Sequence, residues 1–547
     1  MIKKLFMLML AVVILISAVA GCTTVGTGTS TSDRGTEVND PINQGIKENF
    51  NKVGYPIVND TITVTSMFAP ASIEGNPEEM SYWRKLEEIT NIHIEWRMLP
   101  SSEPNAIQLY FAAGDFPDFF HAYVDTERQF TYGVEGGQFV DYSELLYEYM
   151  PNLVSWFKEY PQAENAIRQI NGAVYTLPRI QAHATYSIGQ MFFRTDYLDK
   201  LDLKTPSTID EFYNTLAVIK NAGLTEGYTP LLPYGSGGLN NHTEAFLFSA
   251  FGEATDFDFA DDGIGKVVFN RTSEQYRRYI EFMNKLYKEN LLENEIFTID
   301  TATCSSRIKA GQAAFMSNAA MLMEEDFEDG KIHLDCLAPL TSEYTSTKKV
   351  KAYPSVSSIG GAINKNSKYV KELLRMFDIN YSKDEVISGS GFNCLSQNLG
   401  LEGVDWEWIN EEKSGYRFII PEDWSENVWN YISKYVSWNG YTNAFVTFAT
   451  TGSGNTYARE IGMLKNNIPY AVPQFPDALM KYTVEEKNSI TNKLTDIQNY
   501  VTQARAQFIT GVEPISNWDK YVAEIEAMGI NDVLTVKQAA YDRWNGK

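Results

Sequence analysis

The chain is short of the residues that do covalent and metal chemistry. Among 547 residues there are four cysteines and five histidines. The histidines, His93, His121, His183, His242 and His333, are widely scattered, so a histidine-built metal centre is not expected. Beyond Cys22, the cysteines Cys304, Cys336 and Cys394 stand far apart with no C-x-x-C spacing. They read as buried thiols, with a Cys304–Cys336 bridge left open. There is no G-x-x-x-x-G-K-[ST] phosphate loop, no G-x-S-x-G nucleophile elbow, no H-E-x-x-H helix and no G-x-G-x-x-G opening a helix after a strand. Positive charge is also scarce, 46 Lys and Arg against 70 Asp and Glu, which argues against nucleic acid and anionic lipid surfaces as partners. Past the amino terminus no apolar run approaches the roughly 20 residues a membrane helix needs.

What is present begins with a leader. Lys3 and Lys4 precede an apolar run from Leu5 to Ala20, followed by Gly21 and Cys22. The run is short for a span and ends in small residues, as a secretion signal does. Its Val19-Ala20-Gly21-Cys22 end resembles the lipobox of bacterial lipoproteins, which implies acylation of Cys22 and a mature chain starting there. Loss of the leader removes two lysines and no acid, taking the net charge from −24 to −26. The stretch from Thr23 to about Pro56 is rich in Thr, Ser, Gly, Asn and Asp and has too few large apolar side chains to fold alone. As a flexible tether it would reach roughly 30–35 Å.

The remaining residues, about 490 of them, suit two large lobes better than one core. Thr61-Ile62-Thr63-Val64-Thr65 predicts a buried strand running into a loop at Ser66–Pro70. A helix follows over about 78–89, a strand over 92–96 and a helix over 105–113, then Phe119 and Phe120 enter the loop 121–126. Alternating strands and helices predict a parallel sheet with its ligand beyond the carboxyl ends of the strands. Asn171-Gly172 predicts a tight turn before a short strand that Pro178 stops. It reads as the first of two crossings between lobes, over 178–186, with a second over 355–361. Thr208 and Glu211 have capping-box spacing before the apolar face of Ile209, Phe212, Leu216 and Ile219. A second α/β lobe follows, and residues 484–544 are helical by periodicity. The expected division is a signal over 1–21, a tether over 22–57, lobe 1 over 58–182 plus 360–430, and lobe 2 over 183–359 plus 431–547.

The acidic run Asp256, Asp258, Asp261, Asp262 invites a calcium reading. A loop started at Asp258 would put Ala260 at the third ligand position and Phe269 at the twelfth, which fails the EF-hand pattern. A solvated hairpin turn at Asp262-Gly263 is expected instead.

Several motifs together resemble the large extracellular solute-binding lipoproteins of bacterial ABC sugar importers. They are the lipobox, Gly114-Asp115-Phe116-Pro117-Asp118, Asn171 to Pro178, and Phe193 to Leu201 with Pro206-Ser207-Thr208. Ala310 to Met316, Phe508-Ile509-Thr510-Gly511, Asn517-Trp518-Asp519-Lys520-Tyr521-Val522 and Ala539 to Trp544 complete the set. The resemblance implies a type II periplasmic-binding-protein fold, α/β, with two lobes joined by hinge crossings. It further implies capture of a carbohydrate without catalysis, delivery to membrane permease subunits, and attachment by lipid on Cys22. A monomer with no cofactor is expected. Several relatives carry an Asp/Asn-rich calcium loop after the capped helix, whereas residues 221–227 here keep one carboxylate, so no calcium is expected there.

A sugar presents an apolar C–H face and a rim of hydroxyls, so its cleft needs aromatic platforms and planar polar groups. The candidate platforms, chosen near crossings and strand ends, are Phe68, Tyr123, Tyr186, Tyr234, Trp438 and Tyr441. The candidate hydrogen-bonding residues are His121, Asp125, Arg179, His183, Asn240, Asn241 and Asn318. A secreted glycoside hydrolase and a non-transporting surface receptor stay open as alternatives, the first needing two carboxylates across the cleft.

Overall fold

The computed structural model describes residues 49–546 apart from 72–73, 101, 103, 182–188, 234–240, 318–332, 353–355, 414, 425–427, 438–443, 446–449 and 452–461. The leader, Cys22 and most of the expected tether lie outside the described residues. The tether's expected last residues, 49–57, are packed: Phe50 bridges Val58, Ile57 is fully buried, and the Arg375 guanidinium donates to the Asn51 and Gly54 carbonyls.

Three small sheets organise the rest. In the first, Ile62–Phe68 lies between two parallel neighbours, Ile92–Met98 and Phe119–Phe120, and Ala362–Ile363 closes the far edge in the antiparallel sense. Asp118 fixes its register, accepting from the Thr65 amide and hydroxyl at 2.9 Å each. The helix Ser81–Thr90 buries Tyr82, Trp83, Leu86 and Ile89 along one face and stops where Asn91 turns left-handed at φ 60°. Its core draws on residues between 57 and 180 and between 356 and 401.

The second sheet orders Leu334–Cys336, Phe192–Arg194, Phe315–Met316 and Leu231–Leu232. The helix Ile209–Asn221 packs on it with the predicted face of Ile209, Phe212, Leu216 and Ile219 inward. Thr208 caps the Glu211 amide as predicted, but the Glu211 carboxylate reaches back to the amide and hydroxyl of Ser207 rather than to Thr208. The core of this part joins residues between 191 and 350 to the C-terminal helices Val484–Thr510, Trp518–Ala527 and Ile530–Trp544.

A buried ion cluster stitches those helices down. Glu244, fully buried, accepts from Arg271 at 2.6 Å, from Arg505 at 2.9 Å and from the Tyr276 hydroxyl at 3.2 Å, and Arg271 also reaches Asp258 at 2.7 Å.

The third sheet brings together the two stretches expected to cross between lobes. Leu177–Gln181 runs antiparallel to Val356–Gly360 and parallel to Ala444–Phe445. The Asn171-Gly172 turn forms as predicted, with Gly172 at φ 83°. Pro178, expected to stop the strand, instead lies inside it. The ladder is irregular between Ser357 and Gly360, opposite Pro178, so no inter-strand bond is demanded of its missing N–H.

Candidate functional site

The carboxyl ends of the first sheet's parallel strands carry one aromatic cluster. Phe68 ends its strand and stacks on His121, the rings 5.8 Å apart and 17° from parallel. Trp96, Trp83 and Tyr123 meet the same imidazole edge-on at 5.2, 5.6 and 5.5 Å. Burial in this shell pushes the His121 pKa down to about 3. Phe68 and His121 are buried, so in this conformation they back the Tyr123 ring instead of facing solvent. Tyr123 is half-buried and holds a positive φ of 71°, rare for a bulky residue. Its hydroxyl fixes that pose against Ala69, accepting from the amide at 3.1 Å and donating to the carbonyl at 3.2 Å.

Asp125 is occupied structurally: it caps the turn through the Arg128 amide at 2.9 Å and pairs with the Arg128 guanidinium at 2.6 Å. Arg179 sits half-buried in the crossing strand. His183, Tyr186, Tyr234, Asn240, Asn318, Trp438 and Tyr441 lie outside the described residues, as does the side chain of Asn241.

The loop bearing Tyr123 is tied directly to the crossing. The Val124 amide donates to the Ile359 carbonyl at 2.9 Å. Gln129, buried in a π-helical turn over Gln129–Glu135, donates to the carbonyls of Val124 at 3.0 Å and Ser358 at 2.7 Å while accepting from Gln169 at 2.7 Å. Two buried tyrosines grip the crossing strands: Tyr381 donates to the Pro178 carbonyl at 2.6 Å and Tyr142 to the Gly361 carbonyl at 3.0 Å. The loop of Tyr123 and the crossing strands thus share one hydrogen-bond network. Sequence reasoning missed Trp83, Trp96 and Gln129; the helical spacing of Tyr82, Trp83, Leu86 and Ile89 is the signal that would have marked the first for burial, but nothing local marks a glutamine for a crossing.

A second link joins the two cores near this loop. Thr126 donates to the Ala478 carbonyl at 3.2 Å, Lys487 pairs with Glu127 at 2.7 Å, and Leu479 packs against the first core.

The stretches considered for calcium are otherwise engaged. Asp256 pairs with Lys351, Asp258 with Arg271, Asp261 accepts from the Tyr541 hydroxyl, and Asp262 accepts from the amides of the hairpin turn it helps form. Glu226 accepts from Gln312 at 3.3 Å. Among the described residues no group of three or more His, Cys, Asp or Glu is gathered as for a metal ion. Cys304, Cys336 and Cys394 are buried free thiols, so the Cys304–Cys336 bridge left open above is not formed; burial raises the thiol pKa of Cys336 and takes that of Cys394 to about 12.

Residues 74–383, more than half the chain, match the model of the bacterial extracellular solute-binding protein family. The chain belongs to that family. Among curated relatives, the fructooligosaccharide ABC transporter substrate-binding protein FusA of Streptococcus pneumoniae is 23% identical over 522 residues, covering 88% of this chain and 90% of its own. Lipoprotein LipO of Bacillus subtilis is 26% identical over 361 residues, covering 62% and 68%. Among solved structures, an EF-hand mutant of FusA in complex with fructo-nystose superposes with a TM-score of 0.70 at 21% identity, over 89% of this chain and 100% of that one. An HMO-binding, ABC-transporter-associated solute-binding protein of Bifidobacterium longum infantis gives 0.68 at 18%, over 88% and 99%. The solute-binding fold is the type II periplasmic-binding architecture, α/β with a helical C-terminal part. No helix among the described residues is long and apolar enough to cross a membrane.

Proposed function

We propose that this solute-binding protein captures an oligosaccharide between two closing lobes and hands it unaltered to the permease subunits of an ABC importer, while lipid on Cys22 holds it at the membrane. The observation that supports this reading is the three-stranded sheet built from the expected crossings, which stands in sequence between the first α/β core and the second and has an aromatic loop hydrogen-bonded to it. The sugar class rests on FusA and the Bifidobacterium protein, whose names state oligosaccharide ligands. The lobes are those of the expected division, and Tyr123 and Arg179 are the described residues offered to the ligand. The side chains of His183, Tyr186, Tyr234, Asn240, Asn241, Asn318, Trp438 and Tyr441 complete the set, with Phe68, His121 and Asp125 supporting the loop.

Closure shifts a population, so the ligand has to touch both lobes to favour the closed form. Sugar at a hundred times its dissociation constant should add about 2.7 kcal/mol to stability, and small-angle scattering should show a smaller radius of gyration. Mass spectrometry of the recovered sugar decides the chemistry: intact mass after long incubation supports capture, and an excess of shortened products would make the protein a hydrolase.

A further inference from the structure

The strap that precedes the long helix Val484–Thr510 belongs to both cores at once. Leu479 and Met480 are neighbours in sequence, yet Leu479 packs against the first core while Met480 is fully buried in the second. The strap is pinned on the second side. Phe475 is buried there and its amide donates to Asp256 at 2.9 Å, Asp477 pairs with Lys537, and Arg543 donates to the Lys481 carbonyl at 2.9 Å. Thr483 then caps the helix, near whose start Lys487 stands.

Its partners on the first side follow Tyr123 directly. Asp125 caps the short helix Thr126–Arg128, and Arg128 donates to the Tyr123 carbonyl at 3.1 Å, so Thr126, Glu127 and Tyr123 belong to one hydrogen-bonded turn. The two sides meet where Thr126 donates to the Ala478 carbonyl at 3.2 Å and Lys487 pairs with Glu127 at 2.7 Å. Neither is a core contact: the Glu127 side chain is 60% exposed and that of Lys487 29%. Both can part without unfolding either core. An exposed ion pair is worth only about twofold to fivefold in an equilibrium, and the hydrogen bond is lost with a few tenths of an ångström of added separation.

We propose that the strap, Lys487 and the helix Thr126–Arg128 form a latch, made as the lobes close and broken as they open, so that the Glu127–Lys487 pair contributes to the affinity for a sugar it does not touch. The inference rests on the sugar-binding reading above and deepens it by adding a charge contact to closure itself. Closure and ligand binding are one linked equilibrium, so a contact present only in the closed form raises the apparent affinity. A neutral sugar gives salt nothing to screen. An ionic-strength dependence of its binding that disappears with one protein ion pair therefore reports that pair being made on closure.

The test is calorimetric titration of the full chain with neutral fructo- and malto-oligosaccharides at low and high sodium chloride, roughly 0.01 M and 1 M, where the screening length falls from about 30 to about 3 Å. Wild-type affinity should drop by about twofold to fivefold in high salt. Glu127→Gln and Lys487→Met should bind at low salt as weakly as the wild type does at high salt, with the salt dependence gone. Glu127→Lys combined with Lys487→Glu should restore both the affinity and its salt dependence, which a merely structural role for either side chain would not produce. A wild type indifferent to salt, or one whose salt dependence survives in Glu127→Gln, overturns the latch and leaves the sugar-binding reading standing. Tighter binding in high salt that Glu127→Gln abolishes also overturns it, because the pair would then belong to the open form. A wild type that binds no sugar in the panel overturns both.

Discussion

His121 shows at the scale of one residue how a polar side chain is put to structural use. An exposed imidazole takes its proton near pH 6.5, whereas the ring shell around His121 delays protonation to about 3. Between those values the unfolded chain binds more protons than the folded one, so stability falls as pH drops through the window. Asp378 acts in the opposite sense, because burial raises its pKa to about 7 and the folded form then holds the proton more tightly. Its contribution is full in acid and is lost as pH rises through 7. The two are separated by comparing variants. His121→Phe should remove roughly 1–2 kcal/mol of the stability loss between pH 7 and pH 5, read as a difference in urea midpoints, while Asp378→Asn should remove the opposing fall in stability as pH rises from about 4 to 7. His121 was legible as a residue near a strand's carboxyl end. Its burial was not, because Trp83 and Trp96 come from a different helix and a different strand, and no pattern local to residue 121 announces them.

Whole elements were read more securely than the contacts between them. The helix cap at Thr208, the strands after Thr61 and Asn91, and the C-terminal helices follow from spacing alone because each rests on local periodicity. Pro178 was misread for the opposite reason: whether a proline ends a strand depends on its partner's register, and the irregularity at Ser357–Gly360 is about 180 residues away in sequence. The ion cluster on Glu244 was equally invisible, since its arginines come from a short turn and from the long helix Val484–Thr510. Removing the carboxylate leaves two buried guanidinium groups poorly compensated. Glu244→Ala should cost about 3–5 kcal/mol, and Glu244→Gln, which keeps an acceptor, should cost less. Denaturant midpoints followed by tryptophan fluorescence would measure both, and a loss below about 1 kcal/mol for Glu244→Ala would contradict the assignment.

At the scale of the whole molecule, the proposed attachment rests on one residue. On the proposed reading lipid on Cys22 would be the membrane anchor, and stable anchoring takes more than one acyl chain, as bacterial lipoprotein processing supplies. Cys22→Ala should move the protein from the membrane pellet to the medium or soluble fraction without altering its sugar affinity. Retention in the pellet after a high-salt wash would exclude the lipid as the anchor. The net charge of −24 points the same way, because an acidic chain gains no electrostatic hold on an anionic bilayer.

The interleaving of the two cores also governs how the protein can be made. A chain leaving an export channel amino end first has no complete lobe after 180 residues, because Ile363, Leu373 and Phe377 of the first core are still inside. That core can finish only when residue 401 is out, and the second must wait for Ala540, seven residues from the end. About three-quarters of the polypeptide therefore emerges before the first core can shut out water, and nearly all of it before the second can. On the proposed route of export, holding factors would have to shelter the first half until residue 401 and the second until the last helix, and a stop codon between the two would deliver one closed half and one that never closes.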